Sequence, residues 1–156
     1  IKYINRKADN SLRAGEEIRI INNRINIEVY KKSFLLVLYL DNGLYLQSYN
    51  VCLGKDDKTP EGNFKIRVKQ INPAWYIEEN GRMIKIPFGD PRNMLGTRWM
   101  DFKHRGFGIH GTQDPSSIGK NLSNGCVRLK NEDVEKLYDL VIEGENGTDV
   151  TIREHS

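Results

Sequence analysis

The chain has 156 residues, 38% of them hydrophobic and 29% charged, with a formal net charge of +3. That length fits one ordinary domain with room for a small appendage, and it can bury a real core. No apolar run is long enough to cross a membrane as a helix, and the small positive balance supports only mild attraction to anionic polymers. The chain opens at Ile1 rather than at methionine, so residues are expected before it, and the lack of a visible signal peptide is uninformative.

The first segment differs from the rest. Ile1-Lys2-Tyr3-Ile4-Asn5 is followed by Leu12-Arg13-Ala14-Gly15-Glu16-Glu17-Ile18-Arg19-Ile20-Ile21. It resembles the second half of a LysM peptidoglycan-binding module, which implies a helix ending near Asn5 and a strand over Ile18–Ile21. A short strand packed on the main domain is the alternative. Asn22-Asn23-Arg24 reads as a junction, dividing the chain into 1–23 and 24–156.

From there the pattern is β. Ile25, Ile27 and Val29 alternate with polar neighbours, the period of a half-buried strand. Phe34 to Leu40 and Leu44 to Leu53 flank Asp41-Asn42-Gly43, a hairpin signal, because asparagine and glycine tolerate positive φ. Gly54 to Gly62 has no large apolar residue to bury and predicts a surface loop. Asn63 to Ile71 alternates as one strand through Phe64, Ile66 and Val68. Asn72 to Met100, with three prolines and three glycines, reads as a long functional loop. Trp75, Tyr76 and Trp99 could line a cleft there, although Trp99 is better assigned to packing the loop against the sheet. Asn131 is placed as the N-cap of a helix running to about Val141, with Glu132 and Asp133 in its first turn. A turn over Gly144–Thr148 leads into a closing strand, Val150–Ile152. Many short strands and one helix predict a mainly β sandwich or barrel.

Two glycine-rich segments carry the chemistry: Gly106-Phe107-Gly108-Ile109-His110-Gly111-Thr112 and Ser123-Asn124-Gly125-Cys126-Val127-Arg128-Leu129. An imidazole can take a thiol proton so that sulfur attacks a carbonyl. A free cysteine has a pKa of about 8.5, and a neighbouring imidazole is expected to raise the thiolate fraction by forming an ion pair. Gly125 lets a carbonyl approach the backbone, and N–H groups around Cys126 could form an oxyanion hole. Arg128 could fork onto a substrate carboxylate or form a structural ion pair. Spacing alone leaves open the plainer reading of a buried thiol and a satisfied imidazole. Cys52 sits in an apolar alternation and reads as structural, with both thiols free. His104, between two cations, is a weaker base. A zinc site from His104, His110 and Cys126 lacks a fourth ligand and any Cys-x-x-Cys, so no metal is expected. Phosphate-cradling and nucleic-acid patterns are absent.

These segments resemble the L,D-transpeptidase catalytic domain of the YkuD type. The likeness runs through Thr59-Pro60-Glu61-Gly62, Asn72-Pro73-Ala74-Trp75, Gly96-Thr97-Arg98-Trp99, His110-Gly111-Thr112 and Ser123-Asn124-Gly125-Cys126-Val127-Arg128. The resemblance implies a β-sandwich or barrel with a lid within 72–100. It implies Cys126 as nucleophile and His110 as base, held by the carbonyl of Gly111, with Ser123 or Asp114 as other candidates for that role. Ser123 and Gly125 belong to the same catalytic segment, while Arg128, Asn124, Thr112 and Trp75 would face the substrate. It further implies peptidoglycan stem peptides as partners, acylation by carbapenems, no cofactor, and a place outside the cytoplasmic membrane, at the wall or in the periplasm. Asn124 departs from the pattern, which most often has histidine; an amide can donate a hydrogen bond but carries no proton at neutral pH. The resemblance implies an L,D-transpeptidase that forms 3→3 peptidoglycan cross-links through a cysteinyl thioester with the tetrapeptide stem; hydrolysis of the same stem bond, or a catalytically weak peptidoglycan-binding module, are the alternatives.

Overall fold

A computed structural model describes residues 5–9, 11–103 and 106–155. The strands, in chain order, begin with β1 (Ile25–Tyr30), β2 (Leu35–Leu40), β3 (Tyr45–Asn50), β4 (Leu53–Gly54), β5 (Gly62–Lys65) and β6 (Val68–Ile71). They continue with β7 (Trp75–Glu79), β8 (Arg82–Ile86), β9 (Arg98–Lys103), β10 (Phe107–His110), β11 (Asn121–Ser123) and β12 (Val127–Arg128). The helix α1 (Asn131–Leu140) and a last strand β13 (Asp149–Arg153) close the chain.

Two mixed sheets share one core. The first has the order β3-β2-β1-β13-β5 and the second β12-β10-β9-β6; β11-β4 and β7-β8 are separate pairs. Ile27, Val29, Leu36 and Leu38 of the first sheet meet Met100, Phe102, Ile109 and Val127 of the second, with Val134 and Leu137 of α1. All are buried. Alternation therefore does what it promised in β1, whose Ile25, Ile27 and Val29 face inward. The β2–β3 hairpin forms as expected, with Gly43 at φ +81° in its turn. This is the mainly β architecture with one helix that the sequence predicts.

Four local expectations are corrected. Asn63–Ile71 is two strands in two sheets, because the backbone changes partners midway: Ile66 N–H bonds Thr148 O and Arg67 N–H bonds Asp101 O. The long loop contains a hairpin, β7–β8. Asn131 is not the cap. Lys130 holds that position without a side-chain bond, and Asn131 Oδ1 instead accepts from Thr97 N–H at 3.2 Å. It lies so close to Gly111 that a Cβ there would sit 2.1 Å from it. Finally, residues 11–24 form no helix or strand, and the LysM-like reading finds no support. Both edges of β1 are already taken by β2 and β13, so the preceding residues have no central edge to join. Arg19 is paired instead by the amide of Asn5, at 2.6 and 2.9 Å. The helix expected to end near Asn5 falls largely outside the described residues.

Candidate active site

β10 is held between β9, antiparallel, and β12, parallel. Register sets the site. Gln70 pairs with Trp99, Trp99 with His110, and His110 with Arg128, a row of four side chains across four strands. Residues opposite each other on neighbouring strands share a face, and so do residues two apart. Cys126, two before Arg128, therefore emerges beside His110. All five line one cleft of about 470 Å³. Trp75 and Tyr76 of β7, with Met94 and Leu95, form its other wall, and Asn124 stands at its edge.

His110 is only 3% exposed. Its Nδ1 lies 2.6 Å from the carbonyl of Gly111. A carbonyl only accepts, so Nδ1 carries the proton and Nε2 is the nitrogen that can take another. The Trp99 ring lies alongside, with centroids 5.7 Å apart. Burial holds the imidazole down to a pKa of about 4, against the pull of the Gly111 and Leu95 carbonyls and with the help of the Arg128 charge. The Cys126 thiol moves the other way. Burial raises its pKa, while the Gly108 backbone and Arg128 oppose the rise and Asp101 adds to it. Its Sγ donates to the carbonyl of Gly106 at 3.3 Å. Burial of both groups thus favours the neutral thiol and the neutral imidazole over the expected thiolate–imidazolium pair.

The turn before Cys126 is built by Ser123. Its hydroxyl donates to Cys126 O at 2.7 Å and accepts from Gly125 N–H at 3.0 Å. Ser123 therefore shapes the nucleophile's backbone and does not hold His110, and the Gly125 N–H is engaged rather than free for an oxyanion. Asp114 does not hold His110 either; its carboxylate accepts from Ser116 Oγ at 2.6 Å. Gly125 has φ +124°, and a Cβ there would lie 2.5 Å from Phe107 Cε1 and 2.9 Å from Lys58 O. Only glycine fits that crossing.

Arg128 is fastened through its backbone, which exchanges hydrogen bonds with Cys52 at 2.8 and 2.9 Å. Among the described residues its buried Nε has no hydrogen-bond partner, and none of the ion pairs involves it. Thr112 is not in the cleft: it is buried, and its Oγ1 accepts from Asp114 N–H at 3.0 Å. Cys52 is a buried free thiol and Cys126 a partly exposed one. His104 lies outside the described residues, and among those described no His, Cys, Asp and Glu group could hold a metal ion. Sequence reading missed Gln70, whose place in the row depends on β6–β9 register alone. It preferred packing to cleft lining for Trp99; the ring lines the cleft and stacks beside His110.

Residues 24–152 match the YkuD family, L,D-transpeptidase catalytic domain. The YqjB protein of Bacillus subtilis (strain 168), named as an L,D-transpeptidase, is 39% identical over 133 residues, 81% of this chain and 67% of its own length. YkuD of the same organism is 34% identical over 150 residues, 90% of this chain and 77% of its own. An L,D-transpeptidase structure from Mycobacterium smegmatis superposes at a TM-score of 0.66 with 18% identity, over 84% of this chain. The chain spans 59% of that structure. The L,D-transpeptidase LdtMt1, solved in complex with imipenem, superposes at the same TM-score of 0.66, with 84% of this chain and 59% of its own covered. The two structures share the fold.

Proposed function

This chain belongs to the YkuD family of L,D-transpeptidase catalytic domains, and we propose that it forms 3→3 peptidoglycan cross-links through a thioester on Cys126. One observation carries this reading: the in-register row places His110 and Arg128 beside Cys126 on a single cleft face. Residues 24–156 are the catalytic unit in this scheme.

Nε2 of His110 takes the thiol proton as Sγ attacks the carbonyl between the third residue, diaminopimelate, and the terminal D-alanine of a tetrapeptide stem. The C–N bond breaks, the imidazolium returns its proton to the departing amine, and a thioester remains. An amine of a second stem then attacks the thioester and gives a proton to His110. The new amide leaves, and the proton goes back to the thiolate. Arg128, whose Nε has no partner among the described residues, binds a stem carboxylate, and Trp75 and Asn124 contact the stem. Burial keeps His110 neutral and able to accept a proton. No metal or cofactor takes part. The substrate places the enzyme outside the cytoplasmic membrane; no helix among the described residues is long and apolar enough to cross one.

The test is intact mass after exposure to imipenem, beside Cys126→Ala. One adduct on the wild type and none on the variant is the expected result; no adduct on folded wild type defeats the proposal. Incubation with a tetrapeptide stem, with and without an added amine, then separates transfer from hydrolysis.

A further inference from the structure

Given the cleft as the acylation site proposed above, we infer that Asn93 is a positioning residue that sets the far wall of the cleft. The β7–β8 hairpin supplies Trp75 and Tyr76 to that wall, yet among the described residues it pairs with no other strand. Tyr76 and Met83 are well exposed while Ile86, at the end of β8, is buried, so the hairpin is anchored chiefly at its base. Its place is set where it joins the chain, at Pro73 on the way in and at Ile86–Pro87 on the way out.

Asn93 ties those two points together. Its side-chain nitrogen lies 3.0 Å from Pro73 O, 3.2 Å from Ile86 O and 3.2 Å from Pro87 O. Its Oδ1 accepts from Leu95 N–H at 2.9 Å. Three carbonyls on one side and an N–H on the other admit only one orientation of the amide. The residue is 1% exposed, so none of these bonds is shared with water. A buried polar group of this kind is costly to disrupt. Leu95 is itself a cleft residue, and its carbonyl acts on the His110 ring. One amide therefore holds the hairpin base and the segment that brings Leu95 to the cleft.

Asn93→Asp isolates the hairpin arm. The retained Oδ1 can still accept from Leu95 N–H, while the amide's two N–H donors are replaced by a carboxyl that, even protonated, offers a single O–H to the three carbonyls. The first readout is backbone hydrogen exchange, which needs no turnover. Amides of residues 75–86 should exchange at least tenfold faster, with β1, β2 and β13 within threefold of wild type. Unchanged hairpin exchange, or equal acceleration everywhere, overturns the assignment. The second readout is reactivity. The imipenem concentration for half-maximal acylation rate should rise about tenfold, while alkylation of Cys126 by iodoacetamide stays within twofold. An unchanged imipenem profile also overturns it. If wild type is not acylated by imipenem, the reading of the cleft fails, and hydrogen exchange decides the role of Asn93 by itself. Asn93→Ser, which can keep at most part of this bonding, is read by the same criteria should the aspartate variant not fold.

Discussion

His110 gives the sharpest consequence of burial. Its imidazole has a folded-state pKa of about 4, against about 6.5 in an unfolded chain. The folded state resists a proton that the unfolded state accepts. Stability due to this residue is therefore complete above pH 6.5 and drains away as pH falls from 6.5 toward 4. Each pH unit in that window costs about 1.4 kcal/mol, so the full loss is about 3 kcal/mol. For a chain of this size that is a fall in Tm of roughly 6–12 °C. His110→Asn is the control, since its amide can donate to Gly111 O as Nδ1 does but cannot titrate. Urea unfolding of both proteins at pH 7 and pH 4.5 isolates the residue, because every carboxylate titrates in both. Wild type should lose about 2–3 kcal/mol more than the variant over that interval. Parallel loss in the two proteins would refute the claim that His110 is held neutral by burial.

Three further outcomes follow from the geometry. Gly125→Ala forces a Cβ against Phe107 and Lys58 O at positive φ, and should cost roughly 2–4 kcal/mol in chemical denaturation with loss of imipenem acylation. Arg128→Gln leaves the backbone pairing with Cys52 intact and should weaken half-saturation by a carboxylate-bearing stem about 10–100-fold, with little change in Tm, since charged hydrogen bonds contribute roughly 1.5–3 kcal/mol. Lys31, 8% exposed, is paired with Asp57 at 2.5 Å and Glu61 at 3.0 Å. Burial lowers its pKa, but these two hydrogen-bonded carboxylates outweigh it and the net direction is up. Its stabilisation is then present below about pH 10.4 and lost above it. Lys31→Met should cost about 1 kcal/mol at pH 7, the partners being exposed, and the gap should close in melts above that pH.

Much of this molecule is written locally. The alternation of Ile25, Ile27 and Val29 and the Asp41-Asn42-Gly43 turn need only neighbours a few residues away, and β1, β2 and β3 form where they predict. Cys126 and His110 stand out because glycines surround them. Where the reading failed, a distant partner had intervened. Alternation through Phe64, Ile66 and Val68 continues unbroken, yet the backbone leaves one sheet for another at Ile66 because Thr148 and Asp101 supply the hydrogen bonds. Asn131 looks like a cap by composition, but Thr97 N–H claims its side chain. Ser123 looked like a support for His110 and is engaged by its own turn.

The sequence by itself determined β1 to β3, the closing strand, the helix, and the identity of the thiol and imidazole, since propensity, turn chemistry and glycine spacing act over a few residues. Tertiary structure decided the rest. Register across β6, β9, β10 and β12 chose Gln70 and Trp99 as cleft residues, and Asn93 acquired its three carbonyls only when the hairpin's ends met. Burial, which depends on every packed neighbour, pushes the Cys126 thiol pKa up and the His110 imidazole pKa down.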